Sequence, residues 1–179
     1  MGEVNALARI YLSTVGFIES SDVEDDALAL DDPLDFWAWV PTLRALTAVT
    51  QLSFNSFVSD NRYTLPCLYA CCLGLRGRVQ HLHLYNLSRE DDACDILPLV
   101  ARRWGPCLRR LTLHCCEGVT PRALRALAGA AGPGLAEVHL RCCPGLSEET
   151  ARAAVAAGVQ EGATVPEVTH LVADWWSDD

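Results

Sequence analysis

Histidine and cysteine are the residues of this chain best suited to chemistry, and both kinds are clustered. His81, His83, His114, His139 and His170 all fall in short apolar–polar alternations that predict strands, and six cysteines form the adjacent pairs Cys71-Cys72, Cys115-Cys116 and Cys142-Cys143. Imidazole nitrogen and thiolate sulfur are the donors zinc prefers. On neighbouring strands about 4.8 Å apart, His114, Cys115, His139 and Cys142 are the set that would converge near one edge. Strand alternation opposes this, because adjacent residues point to opposite faces and a Cys-Cys pair cannot grip one ion as Cys-x-x-Cys does. The other chemistry, a Cys142 nucleophile activated by His114, has no orienting carboxylate beyond Glu137, and an open sheet does not exclude water. No Gly-x-Gly-x-x-Gly, phosphate loop, His-Glu-x-x-His or Gly-x-Ser-x-Gly occurs. The expectation is a protein that is not an enzyme, with no catalytic residue, no metal ligand and no cofactor; a zinc- or thiol-dependent activity at those four residues is the remote alternative.

Such side chains act together only if the elements carrying them stack in order, and the sequence predicts a stack. Leu-Arg-Arg-Leu-Thr-Leu-His-Cys-Cys at Leu108 returns at Leu135 as Leu-Ala-Glu-Val-His-Leu-Arg-Cys-Cys. Apolar residues at positions one, four and six recur at Leu7-Ile10-Leu12, Val49-Leu52-Phe54 and Val79-Leu82-Leu84, with a forward echo at Val165-Val168. From residue 49 onward the intervals are 30, 29, 27 and 30 residues, a period that suits one strand plus one helix per unit. Position nine, which is Val15, Phe57, Leu87, Cys116 and Cys143 in turn, is expected to point inward. Ser88, Thr120 and Ser147 are hydroxyl N-caps followed by acid or proline in the first turn. Helices are predicted over about Glu90 to Arg103, Pro121 to Ala130 and Glu148 to Val159, with Gly-rich turns after each.

Alternating strands and helices with short links imply parallel strands and right-handed crossovers. The predicted fold is therefore α/β, a single domain over residues 1–179 with about five units starting near 7, 49, 79, 108 and 135 and a terminal strand near 165. Stacked units curve into a short arc, strands on the concave side and helices on the convex side. Residues 19–35, which hold eight of the 23 acidic residues, form an acidic loop or insertion. Phe36-Trp37-Ala38-Trp39 is either the start of a helix or a plug against the stack, and Trp175-Trp176 is either a cap or a truncation.

With that register, positions two, three, five, seven and eight of each strand face the concave side or its rim. Position three reads Gln51, His81, Arg110, Glu137; position five Ser53, His83, Thr112, His139; position seven Asn55, Tyr85, His114, Arg141. The expected partner-binding residues are His81, His83, Tyr85, Arg110, Thr112, His114, Glu137, His139 and Arg141. Tyr85 and Arg141 are of the types that interface hot spots favour. Arg109, Arg110 and Arg141 form a small basic group suited to an acidic peptide or to the chain's own acidic segment. The alternative is a plain solvated sheet face.

Composition narrows the function classes. A net charge of −9 argues against capture of nucleic acid or an anionic membrane. All fourteen basic residues are arginine, so no side chain offers a Schiff-base amine. No apolar run is long enough for a membrane helix and no leader pattern opens the chain, which predicts a cytoplasmic protein with the nucleus as the alternative. Nine cysteines fit reduced core thiols better than a secreted disulfide framework.

The quoted units resemble leucine-rich repeats, Leu-x-x-Leu-x-Leu-x-x-Asn or Cys-x-Leu, from Val49 to Leu146. Cys116 and Cys143, followed by Val119-Thr120-Pro121 and Leu146-Ser147-Glu148, resemble the cysteine-containing subtype of the ribonuclease-inhibitor-like superfamily. That resemblance implies a protein-binding surface, and in the F-box proteins that carry this subtype it implies substrate recognition within an SCF-type ubiquitin ligase. No F-box pattern precedes Val49. The expected partner is a protein, with SCF components as its specific form, and the expected state is a monomer or a fragment of a longer repeat protein. A ribonuclease-inhibitor-like or regulatory scaffold unrelated to ubiquitin is the alternative.

Overall fold

A computed structural model describes residues 9–13, 37, 39–46, 48–55, 64–75, 77, 79–87 and 93–171. These form six strands, β1 (Arg9–Ser13), β2 (Gln51–Asn55), β3 (His81–Tyr85), β4 (Arg110–His114), β5 (Glu137–Arg141) and β6 (Glu167–Leu171). Five helices alternate with them: α1 (Trp39–Ala45), α2 (Thr64–Gly74), α3 (Ala93–Trp104), α4 (Pro121–Ala131) and α5 (Glu148–Gly158). The strands make one sheet in chain order and every neighbouring pair is parallel. The architecture is thus α/β with a parallel sheet.

Register follows from the apolar beat. Leu52, Leu82, Leu111 and Val138 lie side by side at one rung, and Phe54, Leu84, Leu113 and Leu140 at another. All eight are buried, while the residues between them on β3, β4 and β5 stay half-buried or exposed. A one-residue slip would turn every one of these aliphatic side chains to the other face, so burial of the ladder fixes the pairing.

The helices cover the aliphatic side. Thr120 caps α4 by accepting a hydrogen bond from the Ala123 N–H at 3.2 Å, and Ser147 caps α5 by accepting from Thr150 N–H at 3.1 Å. Leu124, Leu127, Ala128, Ala151 and Val155 then point inward. Trp104, fully buried at the end of α3, donates its indole N–H to the Leu75 carbonyl at 3.0 Å and so satisfies an acceptor left over at the end of α2. Small residues set how closely helices approach. A Cβ at Gly158 would collide with the Arg125 carbonyl oxygen and lie 2.9 Å from Ala128 Cβ, so α4 and α5 meet backbone to backbone there.

Helix α2 was not among the helices predicted individually. Cys67, Leu68, Ala70, Cys71, Cys72 and Leu75 are all buried, so its sequence has no polar stripe to set a helical period. Its thiols are inert core groups. A hydrogen bond with Cys67, then burial, pushes the Cys71 thiol far above its ordinary range, and burial lifts Cys72 to about 12.

At the far end the expected apolar beat weakens. Val165 is 47% exposed, and position six of β6 is His170 rather than an aliphatic residue. Val168 alone of that strand joins the core, as befits a strand with no described neighbour on its outer side. Trp39 opens α1, the first of the two alternatives for that aromatic run, and Trp37 sits edge-on to Tyr69 at 6.0 Å. Leu7, Val15, the acidic segment 19–35, Phe36, Ala38, Phe57, the Ser88 cap with residues 89–92, and Trp175-Trp176 lie outside the described residues. Among the described residues no helix is long and apolar enough to cross a membrane.

Two substitutions test this packing. Leu111→Ala, which empties a fully buried rung, should lower unfolding free energy by about 2–5 kcal/mol. Gly158→Ala should cost about 1–3 kcal/mol by forcing α4 and α5 apart. Urea denaturation followed by circular dichroism reads both, and a Gly158→Ala protein as stable as the parent would mean the helices do not meet so closely.

Candidate functional site

The same alternation that buries the aliphatic ladder leaves a second face. Down the sheet, position three aligns Gln51, His81, Arg110, Glu137 and Glu167; position five aligns Ser53, His83, Thr112, His139 and Thr169. Position seven aligns Asn55, Tyr85, His114, Arg141 and Leu171. His81, His83, Tyr85, Arg110, Thr112, His114, Glu137 and His139 are half-buried and Arg141 is exposed. All nine residues expected from the sequence therefore share the face opposite the helices.

Seven of the nine fall into two groups. The first is aromatic: His83 stacks on Tyr85 with ring centroids 6.4 Å apart, and Tyr85 tilts against His114 at 5.5 Å across the β3–β4 pair. Gln51 Nε2 lies 3.1 Å from His83 Nε2 and ties that ring back to β2.

The second group is charged. Arg110 Nη2 donates to Glu137 Oε1 at 2.9 Å, while its Nε sits 2.7 Å from Oε2 without the alignment of a hydrogen bond. His139 Nε2 lies 2.8 Å from the same Oε2, and His139 Nδ1 is 2.6 Å from Thr169 Oγ1. The Glu137 carboxylate thus joins β4 to β5, and the His139 ring carries the link on to β6. Hydrogen bonding from Arg110, then from His139, holds the Glu137 carboxyl down at about 2. Arg141 has no ion-pair partner among the described residues.

At β2 the face closes over. Ser53 is 8% and Asn55 5% exposed, and Asn55 Oδ1 accepts a hydrogen bond from Asn86 Nδ2 at 2.8 Å. Sequence reasoning gave Asn86 no role, although asparagine is among the few residues that tolerate a positive φ. Asn86, Cys115 and Cys142, each at position eight, have φ of 56°, 53° and 49°. Their N–H groups donate to the carbonyls of His114, Arg141 and Leu171 at 2.9, 2.9 and 3.0 Å, which adds a rung beyond each strand end. For a residue with a Cβ the left-handed conformation costs about 1–2 kcal/mol, so the rung must offset it.

Three of the four residues expected to converge do so: the left-handed turn at position eight sets aside the strand alternation that opposed the cluster, and donor atoms of His114, Cys115 and Cys142 lie within 4.8 Å of one another. His139, the fourth residue of the expected convergence, is engaged instead with Glu137 and Thr169. Cys116 and Cys143 turn the other way into the core, where their thiols donate to the Leu84 carbonyl at 3.5 Å and the Leu113 carbonyl at 3.6 Å.

The Glu137 junction predicts a pH dependence. Its folded pKa of about 2 lies below the ordinary 4.5, so the ionised carboxylate stabilises the fold fully above pH 4.5 and that contribution is lost as pH falls toward 2. Glu137→Gln should therefore be less stable than the parent at pH 7 and close to it near pH 2, with the gap narrowed by added salt because the groups are partly exposed. Denaturant titrations at several pH values measure this; a gap that does not change with pH would refute the linkage. No family model matches the chain, and no match to it is found among the curated proteins or the solved structures.

Proposed function

We propose that this chain is a leucine-rich-repeat arc without enzymatic activity that binds a protein partner on its strand face. The observation that carries this reading is the in-register face itself. Three rows of polar and aromatic side chains run across β2 to β5, held from beneath by a buried aliphatic ladder. Rows of this kind suit an extended or loop segment of another protein, because the backbone beneath is fixed and little ordering is lost on binding.

The two groups on the face define what fits. Tyr85 and His114 offer flat, half-buried ring surface for an apolar or aromatic side chain. Arg141, exposed beside them in the position-seven row, offers a fork for a carboxylate. The favoured partner segment therefore carries an apolar residue next to an acidic one. In its specific form the reading makes the arc a substrate receptor of an SCF-type ubiquitin ligase, a role brought by the family resemblance. Free thiols at all eight cysteines with described side chains suit a reducing compartment such as the cytoplasm.

Affinity purification with Tyr85→Ala and Arg141→Ala, each checked for an unchanged melting temperature, tests the face. Each should weaken partner binding by about 30-fold if it is a hot spot worth about 2 kcal/mol. A matched change on the helix side, Arg122→Ala with Arg125→Ala, should leave binding intact. Partners retained equally by all variants would place the binding surface elsewhere. A cullin adaptor missing from the eluate removes the ubiquitin form of the reading and leaves the binding face standing.

A further inference from the structure

Position eight of each unit is the place where this fold brings side chains of neighbouring strands together beyond the sheet. In the unit of β3 the residue is Asn86, and its side chain reaches the position-seven residue of the preceding strand, Asn55, at 2.8 Å. One layer on the position-eight residue is Cys115 and in the next it is Cys142, and both lie with His114 in one donor cluster. Left-handed backbone at both cysteines places their sulfurs on the His114 side, and the three donor atoms, all half-buried, lie within 4.8 Å of one another.

We propose that His114, Cys115 and Cys142 form a binding site for a thiophilic divalent cation, zinc in the first instance, with one coordination position left open. The donor set is two thiols and one imidazole, which is zinc chemistry; hard cations such as magnesium and calcium take oxygen ligands. Tetrahedral zinc with bonds of about 2.3 Å to sulfur and about 2.0 Å to nitrogen sets its donors about 3.6–3.8 Å apart. The observed cluster needs to contract by about 1 Å at most, within reach of side-chain rotation. Binding replaces the two thiol protons, which pass to solvent, so the bis-thiolate complex of the dication carries no net charge. The fourth position, on a half-buried face, is left for water or for a donor from a partner.

The core thiols Cys116 and Cys143 are excluded from the site because they point into the hydrophobic layer.

Titrating the reduced, metal-stripped protein with zinc, and with cobalt as a visible reporter of tetrahedral thiolate coordination, tests this directly. The expected result is one ion per chain, thiolate-to-cobalt absorption that zinc abolishes, protection of two thiols from alkylation and a rise in melting temperature. Cys115→Asn and Cys142→Asn are the variants of choice, because Asn86 holds the same left-handed conformation in the preceding unit and the fold should tolerate the change. Each should weaken zinc binding by more than about 100-fold, beyond what loss of a supporting hydrogen bond does, with the melting temperature of the metal-free form unchanged. His114→Ala should do the same, while His139→Ala and Cys71→Ala should bind as the parent does. Absence of stoichiometric zinc, or binding that survives in Cys115→Asn and Cys142→Asn, overturns the site.

Discussion

Burial of one aliphatic ladder governs the rest of this molecule. Leu52, Leu82, Leu111 and Val138, with Phe54, Leu84, Leu113 and Leu140, sit at equal heights on neighbouring parallel strands and lose almost all contact with water. Removing each from water contributes about 1.5–3 kcal/mol, and no other register keeps them all covered. Because side chains alternate, the choice of register also fixes the opposite row. Tyr85 stands beside His114 because Leu84 must stand beside Leu113, and Arg110 beside Glu137 because Leu113 must stand beside Leu140. The polar face is a consequence of the core.

The constraint ends where the strand ends, and there the backbone does something the ladder does not dictate. One further rung forms at position eight, and its donors are Asn86, Cys115 and Cys142 in left-handed conformation. Position nine then returns to the core, with Leu87, Cys116 and Cys143 buried. The two thiols of Cys115-Cys116 and of Cys142-Cys143 are therefore divided between two environments: one beside the polar face, the other inside. Chain neighbours differ in chemistry here because the turn between them sends one outward and one inward.

How much of this was legible in the sequence depends on whether a residue's environment is one-sided. Strands β3, β4 and β5 and their polar rows could be read because each has one wet and one dry face, which writes an alternation of period two. The starts of α4 and α5 could be read because Thr120 and Ser147 have a local task, satisfying an N–H three residues on. Helix α2 could not, since a helix buried on nearly every side has no stripe to reveal its period. The convergence of His114, Cys115 and Cys142 was legible in part: the repeat register brings positions seven and eight of neighbouring strands to one edge, but the positive φ that turns both thiols toward His114 is a local feature, hinted at only by Asn86 one unit earlier. The weakness of β6 was half visible in His170, a polar residue at an aliphatic position.

The residues of the face are not equivalent. Arg110, Glu137, His139 and Thr169 hold one another, so a partner that broke this network would leave desolvated charge behind and lose more than it gained. Asn55 is bound to Asn86 and buried, and Gln51 is tied to His83. These groups give the surface a fixed polarity that a partner must match. Tyr85 and His114 meet through ring surfaces and Arg141 is exposed, so these three can take on contacts without surrendering a hydrogen bond described within the sheet. For the partner binding proposed above, specificity would reside in the network of held groups and affinity in the few side chains that have something left to offer.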